Sequence, residues 1–151
     1  MVVYLVEFSN PNRPDIPPRR KPGCAKCLPD NIISYRYGGK WKEDYKDLHV
    51  KLLAYRQINR PSAHQAWNEV YELEQKALDK MGRKAPGRPL VGYEGPIDNI
   101  EEYFDIEPIE GSGGFTEMLH LSRTDREADI NDFLEIVGEE GVRVDKQKEL
   151  F

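Results

Sequence analysis

Val2-Val3-Tyr4-Leu5-Val6-Glu7-Phe8 opens the chain with β-branched, aromatic and aliphatic residues at both odd and even positions. Successive side chains of a strand point to opposite faces, so a strand with one wet face alternates apolar with polar residues. This segment does not alternate, which predicts a strand covered on both sides. It is far shorter than the ~18 apolar residues of a membrane span. It also lacks a basic leader and runs into Asn10-Pro11 rather than a small-residue cleavage site, so it reads as a strand and not as a signal peptide.

Downstream, residues 9–31 read as an extended basic arm. Pro11, Pro14, Pro17, Pro18 and Pro22 exclude helix and ladder pairing in this reading, and Arg13, Arg19, Arg20, Lys21 and Lys26 give the arm its charge. Cys24-Ala25-Lys26-Cys27 closes it, and Leu28-Pro29-Asp30-Asn31 turns the chain into Ile32–Tyr37, expected to be a second strand ended by Gly38-Gly39.

Residues 44–82 show helical spacing. Tyr45, Leu48, Leu52 and Tyr55 would share one face of a first helix, stopped before Asn59-Arg60-Pro61. Ser62 with Gln65 forms a capping box for a second helix, with Ala66, Val70, Leu73, Ala77 and Met81 as its stripe. Together these predict a helical hairpin. Residues 83–96, rich in Gly and Pro, read as a loop. Residues 97–138 read as an acidic region with short helices. One starts near Pro96 and carries Ile97, Ile100, Tyr103 and Phe104; the other is capped by Thr124 with Glu127, carries Ile130, Phe133, Leu134 and Val137, and stops at Gly138. Between them, Phe115–Leu121 reads as a strand after a Gly-rich connector. The expected class is α+β in a single domain over 1–151: a small N-terminal β element packed on a helical hairpin, a short C-terminal helix, and long Pro/Gly-rich extensions.

The formal net charge of −5 hides a split: residues 1–60 carry 12 Lys and Arg against 6 Asp and Glu, whereas residues 61–151 carry 10 against 21. Such asymmetry suits a basic end of one molecule meeting an acidic surface on another, or halves that neutralise each other internally. Two cysteines cannot form a disulfide framework and fit a reducing compartment, so the expected location is the cytoplasm or a particle assembled there. No membrane partner is expected.

Cys24 and Cys27 are the one motif with a recognised chemistry. Zinc requires four ligands, and a Cys-x-x-Cys knuckle supplies two, so the site is half written and zinc is the sole cofactor to consider. A thioredoxin-like centre would need a helix beginning at the cysteines, which Leu28-Pro29 opposes. Arg13, Arg19, Arg20, Lys21 and Lys26 could neutralise phosphates while Tyr35, Tyr37 and Trp41 offer stacking faces with Arg36 and Lys40 interleaved, a pattern that suits a single-stranded nucleic acid. No serine elbow, P-loop or Cys/His/Asn grouping is present. The expected function is therefore a non-enzymatic structural or adaptor protein in a larger assembly such as a viral particle, with protein partners that include copies of itself. A zinc-binding accessory factor touching nucleic acid or a polymerase is the alternative, and a thiol oxidoreductase comes third.

Overall fold

A computed structural model describes residues 1–81, 83–84, 100–107, 118–119 and 123–144. The fold is α+β. In chain order its elements are β1 (Val2–Ser9), β2 (Arg19–Ala25), α1 (Ile32–Tyr37), α2 (Gly39–Asp44), β3 (His49–Gln57), α3 (Ala63–Lys80), β4 (Arg83–Lys84), α4 (Ile100–Phe104), β5 (Met118–Leu119), α5 (Arg126–Val137) and β6 (Val142–Arg143). Four strands make an antiparallel sheet in the order β2-β1-β3-β6, and β4 pairs with β5 separately.

β1 lies inside the sheet and is covered on both faces, as its composition predicts. Val3 and Leu5 join Leu53, Ala54, Ala66, Val70, Ala77, Ile130, Phe133 and Val137 in a core beneath α3 and α5. Val2, Tyr4, Val6 and Phe8 point the other way, into a second core with Ile32, Tyr37, Tyr45, Ile100 and Phe104. Each fully buried Val, Leu or Phe contributes about 1.5–3 kcal/mol relative to exposure, so this one strand anchors both halves of the molecule.

The helical hairpin over 44–82 is not formed. Its second half is α3, with Ser62 accepting from the Gln65 amide at 3.4 Å, but its first half is strand β3. A bulge explains the misleading spacing. Leu5 pairs with Ala54 and Val6 with Leu52, which leaves Leu53 as the extra residue. Leu48, Val50 and Leu52 face the second core in strict alternation, and the bulge shifts the phase so that Tyr55, rather than residue 54, rejoins them. Leu48, Leu52 and Tyr55 thereby imitate the i, i+4, i+7 pattern of a helix.

The arm also differs from expectation. Residues 10–18 fold back in turns, with Arg13 donating to the Asn10 carbonyl and Ile16 to the Arg13 carbonyl, both at 3.0 Å. Asn10 Nδ2 donates to the Phe104 carbonyl at 2.8 Å and the Tyr103 hydroxyl to the Pro17 carbonyl at 2.8 Å, which ties the turn to α4. Residues 19–25 then pair fully with β1 despite Pro22. Edge position makes this tolerable. The Cys24 carbonyl accepts from Arg36 and so faces away from β1, and alternation turns the backbone of Pro22 the same way, where its missing N–H interrupts no ladder bond.

Ile32–Tyr37, expected as a strand, is helix α1: Pro29 begins a 3-10 turn that runs straight into it, and Ile32 and Tyr37 both enter the second core. A Cβ on Gly38 would stand 2.4 Å from the Ser34 carbonyl oxygen, so only glycine lets α1 end against α2. The C-terminal helix caps one residue later than expected, through Asp125 Oδ1 accepting from the Glu127 amide at 2.9 Å and the Ala128 amide at 3.3 Å. Apart from Arg83 and Lys84, the expected 83–96 loop lies outside the described residues, as do Ile97, the 108–114 connector and most of the expected 115–121 strand.

Candidate functional site: an aromatic cleft at the sheet edge

Beside the edge strand β2, on both sides of which helices approach, lies a cleft of about 410 Å³ lined by Tyr4, Lys21, Cys24, Arg36, Tyr37, Trp41, Trp67, Tyr71 and Glu74. Three elements build it. β2 supplies Lys21 and Cys24, α1 and α2 supply Arg36, Tyr37 and Trp41, and α3 supplies Trp67, Tyr71 and Glu74. Its floor is a pair of phenols, with the Tyr4 and Tyr37 hydroxyls 3.1 Å apart. Burial pushes the Tyr4 phenol up to about 12 and the Tyr37 phenol well above its ordinary value, so both remain neutral hydrogen-bonding groups. Trp41 is braced edge-on by Tyr37 at 5.1 Å and lies against Tyr45 at 4.8 Å. Lys26 stands over Trp67, its ammonium 4.9 Å from the ring centre.

Gly23 lets Tyr4 reach this position. A Cβ there would lie 2.4 Å from Tyr4 Cζ, an approach no side chain permits. Arg36 is fixed by its bond to the Cys24 carbonyl at 2.6 Å and lies over the Tyr35 ring. That bond and Pro22 also blunt the β2 edge against pairing with a further strand.

The two cysteines do not act together. Cys24 is buried in the core under α3 and α5, whereas Cys27 packs against the core on the other side of the sheet. Burial and the neighbouring Glu74 carboxylate push the Cys24 thiol up to about 12, and burial raises Cys27 as well. Both effects oppose the thiolate that zinc ligation and thiol chemistry require. Among the described residues no group of three His, Cys, Asp or Glu side chains converges to hold a metal.

Of the residues expected to form a basic interaction surface, the structure brings Lys21, Arg36, Tyr37 and Trp41 into the cleft, sets Lys26 over Trp67 of its lining and disperses the others. Arg13 is on the surface with Asp15 and Asp105. Arg19 is buried near the Tyr103 ring. Arg20, 2% exposed, sits in a charge network instead of facing a phosphate. Its guanidinium donates to Glu7 at 2.9 Å, to Asp129, and to the Arg123 carbonyl at 3.2 Å. Arg126 holds both oxygens of Glu7 at 2.6 and 2.7 Å, and Arg123 holds Asp129 at 2.6 Å and Asp132. Three guanidinium groups thus meet three carboxylates, joining β1 and β2 to α5. Tyr35 is exposed on α1.

Arg36 stands out from the sequence, as a cation between the aromatics Tyr35 and Tyr37, whereas Tyr4, Trp67, Tyr71 and Glu74 do not stand out as site residues. A signal existed for three of them. Trp67, Tyr71 and Glu74 are spaced i, i+4, i+7, a second face of α3 offset by one residue from the core stripe of Ala66, Val70, Leu73 and Ala77. Among the described residues the exposed large hydrophobic side chains are Leu28, Tyr35 and Tyr71. Tyr71 lines the cleft, Tyr35 lies beneath Arg36 at its rim, and Leu28 is on the turn that joins β2 to α1. No protein-family model matches the chain, and neither a curated protein nor a solved structure matches it.

Proposed function

We propose that this chain is a non-enzymatic adaptor that docks into a larger assembly through the face bearing the cleft. The observation that carries the reading is an aromatic cleft with the exposed Tyr71 in its lining and the exposed Tyr35 against Arg36 of that lining, because exposed apolar side chains with polar neighbours are what a partner covers. A catalytic reading has less support: the one thiol in the cleft is held protonated, and among the described residues no imidazole lines the cleft to act as its base. In this reading the assembly is a cytoplasmic complex or a particle built there, in keeping with two free cysteines. Among the described residues no helix is long and apolar enough to cross a membrane.

The test is the size of the species in an extract of the cells that make the protein. Wild type is expected to elute well above monomer mass, and the double variant Leu28→Ser with Tyr35→Ser to return to monomer mass with an unchanged melting temperature, since both side chains are exposed. Elution of the wild type as a monomer, or an identical profile for the variant, would contradict the reading. Loss of the large species on nuclease treatment would favour the nucleic-acid alternative, for which Lys21, Arg36, Tyr37 and Trp41 in one cleft are the supporting observation.

A further inference from the structure

We propose that the cleft is a nucleotide site that takes a guanosine monophosphate unit, with the base among the aromatic rings and Glu74 and the phosphate at Lys21 and Arg36. The inference goes beyond the adaptor reading, with which it shares Tyr71 but not Leu28 or Tyr35.

Four properties of the cleft converge on this ligand. Its volume of about 410 Å³ falls in the ~300–1,000 Å³ range of small-molecule sites. Both tryptophans of the chain line it, together with Tyr37 and Tyr71, so much of its lining is aromatic, and aromatic side chains favour a planar ring over an aliphatic one. In a chain of net charge −5, the described residues of its lining set two cations, Lys21 and Arg36, against one carboxylate, which favours an anion. Arg36 is already oriented by its bond to the Cys24 carbonyl, and a guanidinium so placed presents its remaining N–H groups to phosphate oxygens.

Glu74 chooses the base. An ionised carboxylate only accepts hydrogen bonds, and the Gln75 amide donating to Oε1 at 3.0 Å and the neighbouring Cys24 thiol hold it in place, each using one of its several acceptor positions. Guanine offers two parallel N–H donors from one edge, the geometry that satisfies both carboxylate oxygens, whereas adenine offers only its amino group. A quaternary ammonium could also occupy an aromatic cleft beside a carboxylate, but Lys21 and Arg36 oppose a cation. An added peptide strand is opposed by the blunted β2 edge.

Because both tryptophans line the cleft, quenching of intrinsic fluorescence reads occupancy directly. GMP is expected to quench saturably, while guanosine, ribose 5-phosphate and AMP each bind at least about tenfold more weakly, since each lacks one recognised group. Arg36→Gln should weaken GMP and leave guanosine unchanged. Glu74→Gln should remove the preference for GMP over AMP, because a glutamine amide pairs with adenine. An oligonucleotide with a 5′-phosphorylated guanosine end tests the source: affinity equal to GMP identifies the terminal nucleotide of a strand, and binding of GMP alone identifies a free nucleotide. Absence of saturable quenching by GMP at millimolar concentration overturns the proposal, as do equal affinities for GMP and AMP in the wild type or quenching by choline in its place. The wild-type ligand series decides the matter even where a variant fails to fold.

Discussion

With its side chain 2% exposed, Arg20 shares its guanidinium among Glu7, Asp129 and the Arg123 carbonyl, and its removal leaves Glu7 to Arg126 and Asp129 to Arg123. Arg20→Met should therefore cost about 1.5–3 kcal/mol in urea unfolding, the usual worth of hydrogen bonds to a charged group rather than the larger penalty of an unpaired buried charge. Arg13→Ala removes an exposed pair and should cost less than about 1 kcal/mol. At the cleft, Tyr4 and Cys24 bind their protons more tightly folded than unfolded, with values of about 12 against ordinary values of 10.0 and 9.0. Between those limits the unfolded chain therefore holds fewer protons than the folded one. Their stabilising contribution is complete below about pH 9 and is lost as pH rises towards 12. Wild type should accordingly lose stability in that window, and Cys24→Ala with Tyr4→Phe should lose less. Gly23→Ala forces a Cβ to 2.4 Å from Tyr4 Cζ and should cost about 1–3 kcal/mol while disturbing tryptophan fluorescence.

At the level of elements, the sequence patterns were legible where side-chain periodicity was unbroken and misleading where a backbone irregularity intervened. β1, α3 and α5 follow from their apolar patterns because each presents a continuous face to a core. β3 does not, since the bulge at Leu53 replaces alternation with helical spacing. β2 was obscured because its sequence carries Pro22 and charged residues, features that only the edge position and the Glu7 and Asp129 carboxylates make acceptable. Cap geometry gives a sharp test at α5. Asp125 and not Thr124 accepts the free amides, so Asp125→Ala should lower stability by about 1 kcal/mol and Thr124→Ala by a few tenths at most. The reverse order in thermal unfolding would place the cap on Thr124.

Across the whole molecule, the split charge closes inside the fold. Arg13 meets Asp105, Arg20 meets Asp129 and Arg56 meets Glu140, each a basic residue of the first 60 positions against an acid of the last half. Internal neutralisation thus accounts for pairs that could have linked one copy to the next, and light scattering of the isolated chain should give one mass at low and high salt. The cleft was legible only in part. Lys21, Arg36, Tyr37 and Trp41 stood out by type, but the face of α3 that completes the site became visible only when β2 was placed at the sheet edge. Docking of a partner on this face is what the adaptor role requires. Site-specific photocrosslinking tests it most directly, with a benzophenone amino acid at the exposed positions Tyr35 and, as a control at the far end of α5, Glu139. A discrete crosslinked product from Tyr35 and none from Glu139 is the expected result; products from Glu139 alone, or from neither position, would contradict it.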